Sequence, residues 1–224
     1  THASLERNAG SINDFANSIR AMRRHEIERI GLGWMSGVID DKASLAGMTD
    51  VYDAAIDASL TWAIRHQTQE MGLDEAPAAI AVIGMGRYGG REVNFSSDAD
   101  VIIIYRPAEG ADDTQANLFA RKVQEDLRAI LQGPTTFEPK IELDMDLRPE
   151  GKNGPLVRSY ASCEEYYRSW ASTWEHQALL RARYAAGDAA LAEDFLMNIA
   201  DPLRYPKIDL TETQIAEIRK LKAR

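Results

Sequence analysis

Long stretches of interspersed charged and apolar positions alternate with two short, continuous apolar runs, and this contrast sets the expected order of elements. Residues 12 to 38 mix charge and apolarity as a surface helix does. Thr49 or Asp50 can cap a second helix over 51 to 71, where Tyr52, Ile56, Leu60 and Ile64 recur every four positions and Gly72 supplies a stop. Residues 78 to 83 and 101 to 105 are β-branched runs bounded by breakers, which predicts two buried strands. Asp112 or Asp113 can cap a further helix carrying Phe119, Val123, Leu127, Ile130 and Leu131, closed by Gly133-Pro134. A third strand is expected over 141 to 147. From Tyr160 onward the pattern reads as helical to the end, broken at Asp201-Pro202 and Tyr205-Pro206. The expected class is α+β, with a small mixed sheet between N- and C-terminal helices. The expected segments are a helical one over 1–75, a core over 76–160 and a truncated helical one over 161–224. Leu221-Lys222-Ala223-Arg224 stops inside a helical pattern, so the chain reads as part of a longer polypeptide.

Between the first two strands lie Gly84-Met85-Gly86-Arg87-Tyr88-Gly89-Gly90 and then Ser97-Asp98-Ala99-Asp100. Asp98 and Asp100, two apart at the start of a strand, point to the same face. Two carboxylates beside a loop of free N–H groups can hold a divalent cation together with a polyphosphate. Gly84-x-Gly86-x-x-Gly89 also fits the dinucleotide fingerprint, but that fold needs a full helix after the glycines and an acid closing the second strand. Here only residues 91 to 97 separate Gly90 from Asp98, so the NAD reading fails in context. An Asp-x-Asp match alone arises by chance in so acidic a chain. The weight comes from its conjunction with the glycines, the strands and a third acid.

That acid lies in the expected third strand, where Glu142, Asp144 and Asp146 alternate on one face. A solvated edge strand would tolerate them; a buried face would demand a cation. Either Asp144 or Asp146 could complete a two-metal site with Asp98 and Asp100. Arg148, Lys152 and Arg158 follow, around a Gly-Lys-Asn-Gly turn that could meet a triphosphate.

Composition narrows the partners. A net charge of −9 argues against a nucleic-acid binder and means that a nucleotide needs cations and a local basic cluster. No apolar run is long enough for a membrane span and no signal peptide is visible, so no membrane partner and a cytoplasmic location are expected. The single cysteine, Cys163, fits a reducing compartment and reads as a packing residue. His176 reads as a mid-helix packing residue. Tyr166, Tyr167, Trp170 and Trp174 read as an aromatic core stripe.

At these motifs the sequence resembles the glutamine synthetase adenylyltransferase family, a branch of the DNA polymerase β-like nucleotidyltransferases. The resemblance is carried by Gly86 through Asp100 and by Asp144-Met145-Asp146-Leu147-Arg148-Pro149-Glu150-Gly151-Lys152-Asn153-Gly154, within about residues 78 to 188. It implies a polymerase β-like fold and two Mg²⁺ ions on Asp98, Asp100 and Asp144. ATP is the implied substrate, contacting Gly86, Arg87, Gly89, Gly90, Ser97, Arg148 and Lys152. The family commonly has Arg where this chain has Asp146, which leaves Asp144 and Asp146 both open as the third acid. The resemblance also implies glutamine synthetase as acceptor and a regulatory signal protein acting on the full-length enzyme. The family fuses an adenylylating and an adenylyl-removing half. The segment from Thr173 through Arg183 looks like the adenylylating one. The alternatives are the removing half and a catalytically silent binding module.

Overall fold

The structure is a computed structural model and describes residues 11–134, 140–207 and 211–222. Helix α1 runs over Ile12–Met35 behind an Ser11 cap. Helix α2 spans Asp41–Glu70, earlier than expected, because Asp40 accepts the Ala43 N–H at 2.7 Å and supplies the cap. Thr49, the expected cap, instead spends its hydroxyl on the Leu45 carbonyl inside the helix.

Strands β1 (Ala78–Gly84) and β2 (Ala99–Pro107) pair antiparallel, with Ile80 opposite Tyr105 and Gly84 opposite Val101. A one-turn helix, α3 (Gly86–Gly89), joins them on the β1 side. Helix α4 (Asp113–Gln132) follows, capped by Asp112, with Phe119, Val123, Leu127, Ile130 and Leu131 all buried as expected. Its C-terminus is held by Arg20 of α1. That guanidinium donates to the carbonyls of Ile130, Gly133 and Pro134, which are orphan acceptors at a helix end.

The third strand is shorter than expected. β3 is only Leu143–Asp144, because Asp144 Oδ1 accepts the Asp146 N–H at 2.7 Å and turns the chain. Glu142, Asp144 and Asp146 therefore do not share one strand face. β4 (Val157–Ser159) and β3 both pair parallel with the same edge of β2.

The C-terminal third is not wholly helical. Helix α5 (Tyr160–Ser169) stops at Trp170, and Ser172 restarts helix α6 (Thr173–Ala178) through a capping box with Glu175. This break undoes the expected aromatic core stripe: Tyr167 is buried, but Trp170 is 76% exposed. Strand β5 (Arg183–Gly187) then pairs antiparallel with β1 and completes a mixed sheet in the order β3-β2-β1-β5. Helix α7 (Ala189–Phe195) and two short turns follow, then helix α8 (Glu212–Lys222).

Alternate residues of the central strands feed two cores. Ile80, Val82, Val101 and Ile103 pack with α1, α2 and α4. Ala81, Ile83, Ile102 and Ile104 pack with α5 and α7. This period of two, with helices on both faces, explains why the strands read as continuous apolar runs. Cys163 lies in the second core, and burial pushes its thiol up to about 12. Among the described residues no helix is long and apolar enough to cross a membrane.

Candidate active site

The site forms where β2 begins. Asp100 is the register partner of Asp144 across the parallel β2–β3 pair, which puts their backbones about 4.8 Å apart. Asp98 stands two residues before Asp100, exposed at the mouth of a cleft of about 600 Å³. Burial first, then the charges of Asp98 and Asp144, push the Asp100 carboxyl up to about 6, against the backbone N–H of Arg87, which donates to it. Three carboxylates thus repel one another around one strand end.

The glycine turn serves Asp100 as much as any ligand. Gly86 has φ +51°, and a side chain there would run into the Asp100 carboxylate, with a Cβ 2.8 Å from its Cγ. Gly89 backs onto the Arg181 and Gly84 carbonyls so closely that no Cβ fits. The N–H groups of Gly89 and Gly90 are used within the turn, on Met85 and Gly86 carbonyls. The expected loop of free donors is therefore a wound turn with Arg87 exposed on its outer side.

Two clefts meet at Asp98 and Glu142, which line both. The first also takes Arg23, Tyr52, Arg87, Phe95, Asp100 and Lys140. The second, about 420 Å³, takes Arg128, Asp144, Asp146, Arg148, Lys152 and Leu156. Arg23, Arg87 and Lys140 line the first and Arg128 and Lys152 the second beside the carboxylates, the local basic cluster that so acidic a chain needs to meet a polyphosphate.

Ser97 holds the loop before Asp98: its hydroxyl donates to Asn94 Oδ1 at 3.0 Å and accepts the Asn94 N–H. Asp146 pairs with Lys152 at 3.2 Å and Arg148 at 3.6 Å. Arg148, expected at a phosphate, is buried, and its guanidinium donates to the carbonyls of Met145, Lys152 and Gly154. Its place is to shape the loop after Asp144. Lys152 remains 81% exposed at the second cleft. His176 lies in the last turn of α6, where burial lowers its pKa, and it lines neither cleft.

Among the described residues no three His, Cys, Asp or Glu side chains close on one point as a finished metal cage. The donor set still suits a hard dication. It is all oxygen, it sits on neighbouring strands at Asp100 and Asp144 and just before β2 at Asp98, and its mutual repulsion at Asp100 is what a cation would relieve.

Sequence reasoning missed Arg23 and Tyr52. They come from α1 and α2, far along the chain, and Tyr52 read only as one position of an apolar stripe. Arg128 was hidden in the same way on the outer side of α4.

The sequence matches the family model described as glutamate-ammonia ligase adenylyltransferase over residues 2–198. It is 77% identical over 224 residues to the bifunctional glutamine synthetase adenylyltransferase/adenylyl-removing enzyme of Bifidobacterium longum (strain NCC 2705), covering all of this chain and 21% of that protein. The protein of the same name from Mycobacterium tuberculosis (strain ATCC 25618 / H37Rv) is 45% identical over 205 residues, covering 92% of this chain and 20% of that one. The chain spans about a fifth of the length of these relatives.

Proposed function

Because the chain belongs to the glutamate-ammonia ligase adenylyltransferase family, we propose that it carries a site that moves AMP from ATP to a tyrosine hydroxyl of glutamine synthetase, releasing pyrophosphate. The observation that carries this reading is the register pairing of Asp100 with Asp144, with Asp98 two residues upstream. The fold in this reading is polymerase β-like, and the setting is the cytoplasm, with a regulatory signal protein acting on the longer polypeptide.

Asp98, Asp100 and Asp144 would hold two Mg²⁺ ions, whose Lewis acidity favours loss of the tyrosine proton and offsets charge on the phosphates. A free phenol has a pKa of about 10, so the proton needs an acceptor. In this reading Asp144, half-buried on β3, takes it and passes it to solvent. The phenolic oxygen then bonds to the α-phosphorus as the bond to pyrophosphate breaks in line. Asp100 is kept in place by the Arg87 N–H and by the absence of a side chain at Gly86. Arg87 and Lys152, both exposed at cleft rims, offset the charge of the leaving pyrophosphate. Arg148 acts at one remove, by fixing the loop that carries Lys152.

The relatives' printed name covers two opposite reactions, so the removing half stands as a second reading. The likeness of the segment from Thr173 through Arg183 to the adenylylating half supports the first. One experiment separates them. The intact polypeptide carrying this chain is incubated with ATP, Mg²⁺ and unmodified glutamine synthetase, and in parallel with AMP-modified glutamine synthetase and inorganic phosphate. Intact mass is read in both, against a variant with Asp98→Asn and Asp100→Asn. Gain of one AMP, lost in the variant, supports the proposal. Loss of AMP in the second arm alone, again dependent on these residues, assigns the removing reaction. No mass change in either arm, with nucleotide still bound, leaves a binding module.

A further inference from the structure

Tyr52 lies on α2, outside the strand–turn–strand segment that carries the acids, yet it touches both walls of the first cleft. It is 1% exposed. Its hydroxyl donates to the Ser97 carbonyl at 2.9 Å, the peptide oxygen immediately before Asp98. Its ring lies 6.3 Å, centroid to centroid, from that of Tyr88, the residue after Arg87 in α3. The cleft is bounded by these two segments: the loop that presents Asp98, and the turn whose Arg87 N–H holds Asp100. One rigid side chain therefore spans the gap that sets how far Asp98 stands from Arg87 and Asp100.

Arg23 of α1 fixes that side chain in turn. Its Nη2 donates to the Tyr52 hydroxyl at 3.2 Å, and its guanidinium lies 5.3 Å from the centre of the Tyr52 ring. The guanidinium is buried and lines the same cleft. The hydroxyl thus accepts from Arg23 and donates to Ser97, which pins the phenol in direction as well as depth. With two rotatable bonds and both polar valences used, it has little freedom to yield when the carboxylates repel.

We propose that Tyr52, locked by Arg23, is a positioning residue of the active site: it holds the Asp98 loop at a fixed distance from the Arg87 turn so that Asp98 and Asp100 can take a divalent cation together. This rests on the nucleotidyl-transfer reading for its consequence in catalysis, but its first effect is on cation affinity. Partners that orient metal-binding side chains are worth about 10- to 100-fold in affinity or activity.

The test is Tyr52→Phe in the intact polypeptide, which keeps the ring and removes only the hydroxyl. The control is Ser59→Ala, which also removes a buried hydroxyl from α2. Among the described residues that hydroxyl bonds only the Ala55 carbonyl in its own helix, and Ser59 lines neither cleft. Mn²⁺ affinity is measured by the loss of its free-ion magnetic resonance signal, alongside melting temperature and the Mg²⁺ concentration for half-maximal AMP transfer. Tyr52→Phe should weaken Mn²⁺ binding about tenfold and raise the Mg²⁺ requirement in step, while Ser59→Ala lowers the melting temperature without either change. If both variants melt earlier and bind Mn²⁺ as the parent does, Tyr52 is a core residue only and the proposal fails. If the parent binds Mn²⁺ but transfers no AMP, the functional reading fails, and the positioning role is judged on the Mn²⁺ affinities alone.

Discussion

Asp100 and Asp144 sit directly across from each other on parallel neighbours β2 and β3, so two carboxylates face one another where a folded core would ordinarily put a neutral pair. Like charges opposed on adjacent strands are destabilising. Here the burial of Asp100 and the nearby Asp98 add to the repulsion. An arrangement that weakens the fold and gathers oxygen donors is most simply explained by what it binds.

Asp100→Asn should therefore separate stability from activity. Removing one charge relieves the repulsion, so the melting temperature without metal should stay level or rise. AMP transfer should fall at least about 10²-fold, as for loss of one preorganised electrostatic contact. Thermal melts and initial rates on the same preparation check this. A variant that transfers AMP normally removes Asp100 from the chemistry.

Asp144→Asn and Asp146→Asn should behave differently, although both acids lie in the same short run. Asp144 should show a loss comparable to that of Asp100. Asp146 makes an exposed ion pair with Lys152 and a looser contact, at 3.6 Å, with the buried Arg148. An exposed pair contributes about 0–1 kcal/mol, so losing the Lys152 pair should change activity by less than about tenfold, read through the position of Lys152. Rates of the two variants under one ATP concentration decide it. A larger loss from Asp146→Asn would move the third ligand there.

The sequence made this part of the site legible and left its walls unread. The central strands announced themselves because they are buried on both faces and rich in Val and Ile. Asp98 and Asp100 stood out because a breaker-bounded strand follows them at once. β5 gave no such signal: Arg183-Tyr184-Ala185-Ala186-Gly187 has no β-branched residue, and it is a strand only because β1 offers it an edge. The helix break before Ser172 was readable in principle, since Ser172-Thr173-Trp174-Glu175 is a capping box, but the aromatic periodicity running through it suggested continuity. Asp146 could not be separated from Asp144 by parity alone. The Asp146 N–H donates to the Asp144 carboxylate and ends the strand, and periodicity does not register such a bond. Arg23 and Tyr52 reach the cleft only through the packing of α1 on α2, a tertiary fact with no local pattern.

Gly86→Ala should be worse than a backbone penalty alone. At φ +51° an alanine costs about 1–2 kcal/mol, and its Cβ also meets the Asp100 carboxylate. The variant should lose more stability than that backbone cost alone and lose AMP transfer as severely as Asp100→Asn. Chemical denaturation paired with rate measurement checks both. Lost stability with normal activity would mean that Asp100 shifts without consequence.

Arg148→Lys should fail to replace arginine. Three carbonyls, of Met145, Lys152 and Gly154, converge on one buried guanidinium. A lysine ammonium is a point donor on a flexible stem and cannot reproduce that fork. Leaving buried carbonyls unpaired costs about 1–3 kcal/mol each, so both Arg148→Lys and Arg148→Ala should melt well below the parent. If Arg148 instead bound phosphate, Arg148→Lys would keep the melting temperature and raise the KM for ATP.

The pH dependence of the site follows from the sign of the Asp100 shift. An unfolded aspartate titrates near 3.9, whereas in the folded chain burial and its acidic neighbours push Asp100 up to about 6. Between those values the folded state binds the extra proton, so stability falls as pH rises through this window. The penalty is absent below about pH 4 and complete above about pH 6. A cation competes with that proton for the same oxygens. In the absence of metal, the melting temperature of Asp100→Asn relative to the parent should therefore climb as pH goes from about 4 to about 6 and level off above. Added Mg²⁺ should raise the melting temperature of the parent strongly at pH 7.5 and little at pH 5, and should do so weakly in Asp100→Asn at either pH. The half-maximal Mg²⁺ concentration for AMP transfer should likewise rise as pH falls through about 6. Scanning calorimetry over this range, with and without Mg²⁺, reads the first two effects. A parent whose Mg²⁺-induced shift is the same at pH 5 and pH 7.5 would place the cation away from Asp100.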